Sequence, residues 1–151
     1  SGMFEILESQ KTEANSQFCK FIDKNYPKWF ADPSEAPIMS HTLFKERVQP
    51  QLQQGTPTLL VVIDNLRFDQ WKAFEPTVAN LYKKTSEELF CSILPTATQY
   101  ARNAIFSGLM PSDMEKLHPD LWLNDTEDGG KNMKEEELPQ NFELEARKEI
   151  G

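Results

Sequence analysis

The chain has few cysteines, few glycines, few histidines and no long apolar run. Its two cysteines, Cys19 and Cys91, form neither a CxxC pair nor a disulfide framework. Cys91 stands in an apolar stretch, where a buried free thiol is the ordinary reading, so a reducing, cytoplasmic setting is expected. The six glycines build no G-x-G-x-x-G fingerprint and no Walker loop, which argues against a plain nucleotide-binding sheet. The longest apolar run, Leu59 to Ile63, has five residues. A membrane-spanning helix needs about 20, so no membrane partner is expected. The first residues lack a basic segment followed by an apolar one, and no signal peptide is expected. Ser1-Gly2 ahead of Met3 reads as a cleaved-tag remnant.

Positive charge is also short. The net charge is -8, from 16 basic and 24 acidic residues. Residues 1–56 carry -1 (6 against 7), residues 57–111 carry 0 (5 against 5) and residues 112–151 carry -7 (5 against 12). The acidity belongs to the tail, and no basic patch announces duplex nucleic acid. A phosphate-ester substrate stays compatible, because a bound cation can supply the missing positive charge. At 151 residues, 38% hydrophobic and 11% aromatic, the chain fits one domain or part of a larger one.

What is present centres on residues 58–108. Leu59 to Ile63 is short, β-branched and uninterrupted, the pattern of a strand buried on both faces. It stops at Asp64 and a helical pattern follows. Phe90 to Leu94 is a second strand candidate, leading through Pro95 into a helix from Thr98 to Ser107, with Ala101, Ala104, Ile105 and Phe106 on its packing side. Gly108 suits the left-handed residue that ends a helix, and Pro111 suits a stop. In open α/β sheets ligands sit beyond the carboxyl ends of strands, which is where Asp64 and Thr98 are expected.

Upstream, Phe4, Leu7, Ala14, Phe18 and Phe21 fall at steps of three and four, with Lys11 the one break. That spacing predicts a helix, near to a heptad, that covers a neighbour or pairs two chains into a dimer. Tyr26-Pro27 is expected to end it, Trp29 and Phe30 to anchor it, and residues 32–37 to form a loop. Ser40 reads as the N-cap of a helix to about Gln54, kinked or stopped at Pro50. Residues 66–84 read as helical, bent at Pro76 or broken there into two short helices. Ser112-Asp113 reads as the cap of a short helix to His118, and Trp122 as a core anchor. Asn124, Thr126, Asp128 and Gly129 with Glu135 echo a calcium loop, though a solvated loop is the better reading.

Each chemical residue has a bland alternative. Asp64 at a strand-to-helix junction is either a helix cap or a hard oxygen ligand for a divalent cation. Thr98, opening a helix, is either a cap or a hydroxyl placed where free N–H groups favour phosphate. Thr96 is a competing hydroxyl that spacing does not exclude. Arg67 and Arg102 are the nearby cations, each able to hold phosphate oxygens in a fork, with a solvated arginine or an ion pair to Asp69 the alternative. Asn103 and Asn65 are further donors. His41 and His118 are lone histidines outside any ligand motif.

These residues carry a resemblance. Pro95-Thr96-Ala97-Thr98, followed by Ser107-Gly108-Leu109-Met110-Pro111, resembles the nucleophile segment of the alkaline phosphatase superfamily. Asp64-Asn65-Leu66-Arg67-Phe68-Asp69 is similar to the Asp-x-Leu-Arg-aromatic-acidic signature of PglZ domains. The wider run, with Trp71, Tyr100 to Ser107 and Leu121-Trp122-Leu123, is similar to PorX-type response regulators. Those place a receiver domain before a PglZ effector and regulate type IX secretion in Bacteroidetes. The resemblance implies an alkaline-phosphatase-like α/β fold, a parallel-sheet core flanked by helices, holding a truncated half of the domain. It divides the chain into a helical lead-in (3–56), the N-terminal part of the PglZ domain (57–138) and a charged tail (139–151).

The resemblance further implies two zinc ions, with Asp64 and Thr98 as ligands. Thr98 would attack phosphorus as nucleophile, and Arg67, Arg102 and Asn103 would hold substrate. The superfamily draws its remaining ligands from later in the domain, so this portion alone is expected to bind zinc poorly and to be inactive. Implied partners are a receiver domain in the same protein and a histidine kinase. The competing expectation is a catalytically silent regulatory interaction module.

Overall fold

The heptad-like spacing of the first residues becomes one long helix, α1 (Gly2–Ala31). The computed structural model describes residues 2–120 and 122. They fall into two units, 1–37 and 38–151. The expected stop at Tyr26-Pro27 is overturned, because α1 runs through Pro27 to Ala31. A proline inside a helix removes one N–H and crowds the carbonyl four residues back. Here the last turn is held from beyond it. The Asp32 N–H donates to the Lys28 carbonyl at 2.8 Å. Trp29 packs edge-on against Phe21 and Tyr26, with ring centres 6.0 and 6.1 Å away. Trp29 is buried while Phe30 stays exposed, so only one of the two expected anchors is covered. Phe4, Leu7, Phe18 and Phe21 form an exposed stripe. The Asp32 carboxylate then accepts from the Ser34 N–H and hydroxyl, closing one 3-10 turn at Pro33–Glu35. Those bonds hold the Asp32 carboxyl below its ordinary pKa.

The second unit begins with α2 (Ser40–Leu43), a wide turn at Phe44–Val48 and α3 (Gln49–Leu52). At the wide turn the Gln49 N–H reaches back five residues to the Phe44 carbonyl, one position before Pro50. Pro50 sits in the first turn of α3, where its missing N–H costs little. The N-cap is Met39, not Ser40: the Met39 N–H donates to Thr42 Oγ1 at 3.0 Å. Ser40 is fully buried and its hydroxyl accepts from the Ile93 N–H at 3.1 Å.

The expected parallel sheet is not there: among the described residues there is no strand. A strand exists only when a neighbour takes its N–H and C=O groups. Leu59–Ile63 lies outside any helix and is exposed, Leu59 at 86% and Val61 at 64%. The second candidate pairs at one point only, a parallel bridge between Cys91 and Met39. There the Cys91 N–H donates to the Ile38 carbonyl at 2.8 Å and the Ser40 N–H to the Cys91 carbonyl at 3.1 Å. The order is therefore helical, with α2 packed on α5 (Thr98–Ser107), and α5 packed on α6 (Pro111–Leu117). Met39, Ile93, Ala104 and Met114 form the buried centre of this unit.

Helix α4 (Phe68–Val78) ends two residues after Pro76, shorter than the expected 66–84. Trp71, Phe74 and Val78 are its half-buried face, and the first two rings meet at 5.0 Å and a right angle. Behind it, Lys72 and Lys84 each bridge Glu75 and Glu87, fastening residues 84–87 to the helix. The two lysines, Lys72 first, push the Glu87 carboxyl down to about 2. Gly108 closes α5 at φ 67°, donating its N–H to the Ala104 carbonyl at 3.0 Å, as its place after the pattern predicts. Helix α5 has ended before Pro111, which opens α6, whose N-cap is Met110 rather than Ser112 or Asp113. Trp122 is half-buried and stacks on Tyr100 at 5.9 Å. Residues 124–135 of the calcium-loop echo and the tail lie outside the described residues. Among the described residues no helix is long and apolar enough to cross a membrane.

Two predictions follow from this packing. Ser40→Ala strips the buried Ile93 N–H of its acceptor and is expected to cost about 1–3 kcal/mol. A urea titration measures it. The second concerns His41, whose pKa burial holds below 6.5, against the opposing pull of Asp113 and Glu46. A folded pKa below the unfolded one means that protonation favours unfolding. Stability is then full above 6.5 and falls as pH drops from 6.5 toward the lower folded value. His41→Gln is expected to flatten the fall in urea midpoint over that window.

Candidate active site

Three segments converge on one cavity of about 390 Å³. Leu43 and Val48, on either side of the wide turn, form one wall. Residues 60–66 form a second. Thr96, Thr98, Ala101, Arg102 and Ile105 form the third. The wide turn was not foreseen, and Pro50 was its only sequence signal.

Asp64 lies at the end of the extended run and lines this cavity. It caps no helix, since the N-cap of α4 is Arg67, three residues on. Asn65, which follows, takes φ 59°, a left-handed conformation that asparagine tolerates better than most residues, and it also faces the cavity.

Thr98 is the first residue of α5. The N-cap is Ala97, whose methyl can accept no hydrogen bond, so α5 has no side-chain cap. The cap reading of Thr98 is thus not realised, and its side chain is exposed on the cavity. Thr96 lines the cavity too, so both hydroxyls remain candidates. Arg102 stands four residues after Thr98, one helical turn on and on the same face. Its Nη1 donates to Asp64 Oδ2 at 3.3 Å. The structure therefore brings Asp64, Thr98 and Arg102 together.

Arg67 and Asn103 lie elsewhere. The Arg67 fork is taken by Asp69, with Nε to Oδ1 and Nη2 to Oδ2 both at 2.9 Å, and neither residue lines the cavity. The pair raises the Arg67 pKa and lowers that of Asp69. Asn103 is buried on the packing side of α5. His41 and His118 are not among the lining residues.

A structural or catalytic zinc takes three or four N, O or S ligands from the protein. Among the described residues no group of three or more His, Cys, Asp or Glu side chains could hold a metal. Asp64 and a threonine hydroxyl do not by themselves fit such a centre.

No curated protein matches the chain. Residues 1–30 match the PorX response regulator linker domain. Residues 43–149 match the family described as the BREX system PglZ alkaline phosphatase-like domain. That second span holds every residue lining the cavity and most of the chain. The chain belongs to the PglZ alkaline-phosphatase-like domain family.

Proposed function

We propose that the chain supplies the nucleophile side of a phosphoric ester hydrolase, with Thr98 attacking phosphorus. The observation that supports this is the single cavity shared by Thr98, Asp64 and Arg102. Thr98 stands at the positive end of the α5 dipole, which favours an anion beside it. Its Oγ forms a bond to phosphorus as the bond to the ester oxygen breaks, the hydroxyl proton ends on the departing alcohol, and water then cleaves the phospho-threonine to restore the free hydroxyl. Arg102, one turn away, is the guanidinium within reach of the phosphoryl oxygens. Arg67, tied to Asp69, and Asn103, buried off the cavity, hold weaker claims on substrate. Two zinc ions with Asp64 and Thr98 among their ligands remain part of the proposal on the family resemblance. No step is assigned to them, because the other ligands are not among the described residues.

The boundaries proposed are a lead-in at 3–56, the N-terminal part of the PglZ domain at 57–138 and a charged tail at 139–151. The linker match at residues 1–30 supports placing the domain in a response regulator. Its partners would be a receiver domain in the same protein and a histidine kinase. Control of type IX secretion is proposed on the resemblance, and a cytoplasmic location on the two free cysteines. A second reading, a silent interaction module, is favoured by the exposed stripe on α1, which offers a face for a dimer or another partner. Less than one zinc per full-length chain would support it.

Hydrolysis of an aryl phosphodiester by the full-length protein tests the first reading. Thr98→Val is expected to lower kcat by about a thousandfold or more, and Thr96→Val by only a fewfold. The reverse order moves the nucleophile to Thr96. Activity surviving both substitutions removes the hydrolytic proposal for this cavity.

A further inference from the structure

We infer that the exposed face of α1 receives a second copy of the same helix, run antiparallel, so that the chain pairs with itself through residues 4–21. The inference stands whichever reading of the cavity holds. It starts from six positions at alternating steps of three and four: Phe4, Leu7, Lys11, Ala14, Phe18 and Phe21. That spacing lines one side of a helix over about 26 Å and matches the seam of a two-helix coil. Half or more of Phe4, Leu7, Phe18 and Phe21 is open to solvent, and Lys11 and Ala14 between them are exposed too. Phe18 and Phe21 stack on each other with ring centres 6.3 Å apart and still stay exposed. Beyond Phe21 the same spacing meets Asn25 and Lys28, so the apolar seam ends there.

Size and charge choose the occupant and its direction. In an antiparallel pair Phe4 lies opposite Phe21, Leu7 opposite Phe18 and Lys11 opposite Ala14, each layer occurring twice. The methyl of Ala14 leaves room for the four-carbon stem of Lys11, whose ammonium reaches water. In a parallel pair every position meets itself. Lys11 then faces Lys11, two like charges in the seam, and the next layer, Ala14 on Ala14, is underfilled. One lysine in such a seam fixes register and orientation at a cost in stability. The charges around the seam agree. Residues 2–15 carry Glu5, Glu8 and Glu13 against Lys11, a net of -2. Residues 16–31 carry Lys20, Lys24 and Lys28 against Asp23, a net of +2. Antiparallel pairing lays the acidic half of each helix along the basic half of the other, and parallel pairing lays like on like. This division also suits the helix's own dipole, so the layer of Lys11 and Ala14 carries the direction. The helix thus supplies its own complement in shape and in charge, which singles out a second copy as the occupant. Six layers make a small interface, of the weak and reversible class.

Sedimentation velocity on the 151-residue chain, from low micromolar to millimolar concentration, tests this. A monomer–dimer equilibrium in the micromolar range is expected. Leu7→Ala with Phe18→Ala strips two of the layers while keeping good helix formers, and is expected to weaken the dimer about a hundredfold or more. Ala14→Glu sets a carboxylate opposite Lys11 in the antiparallel pair but opposite its own copy in a parallel one. It is expected to hold the dimer within about threefold of wild type. Circular dichroism checks that α1 stays helical in each variant. A chain that stays monomeric throughout leaves the face to a different protein and overturns the inference. A dimer that survives Leu7→Ala with Phe18→Ala pairs through other residues and overturns it as well. Loss of the dimer on Ala14→Glu alone means parallel pairing, and the antiparallel seam falls.

Discussion

The 38–151 unit depends on one buried join between residues 38–40 and 91–93. Three backbone groups are satisfied there: Cys91 N–H by the Ile38 carbonyl, Ser40 N–H by the Cys91 carbonyl, and Ile93 N–H by the Ser40 hydroxyl. Met39 and Ile93 are almost wholly covered beside them. A buried N–H left without a partner is costly, so the join sets the relative position of two segments far apart in sequence. Helix α2 follows it from one side. From the other, residues 94–97, bent at Leu94 and Pro95, lead to α5, and the two helices pack together. The cavity that carries the chemistry is what remains between them and residues 60–66.

How much of this was legible varies with the range of the cause. Helix α5 was legible from its ends: an apolar face at helical spacing, and a glycine at the one place where the backbone turns left-handed. Those causes are local. The extended runs were not legible in the same way. Leu59–Ile63 shows β-branched composition, but composition carries no information on whether a neighbour is there to complete a ladder. Ser40 was legible as a polar residue at a helix start and misassigned, because its hydroxyl answers a group 53 residues away rather than its own helix. Pro27 failed as a stop because contacts among Phe21, Tyr26 and Trp29 outweigh a local backbone preference.

The candidate site divides along the same line. Asp64, Thr98 and Arg102 line one cavity, Asp64 at the end of the extended run and the other two on one turn of α5. Arg67 has the same chemistry as Arg102 but a carboxylate two residues away, and the nearer partner takes it. Asn103 lies next to Arg102 in sequence, yet one step around a helix turns a side chain by about 100°, onto the packed face. Walls such as Leu43 and Val48 had no chemical signature to read.

The bare run from Leu59 to Ile63 has a colloidal consequence. Five consecutive β-prone apolar residues without a charge among them, open to solvent, form a template onto which another extended chain can add. The net charge of -8 keeps molecules apart at a distance, but in sequence its excess falls in the last 40 residues, and residues 57–111, which hold this run, are balanced. The extended segment that offers this edge is about 17 Å long. A lysine or glutamate in that segment is the modification that would keep the chain dispersed.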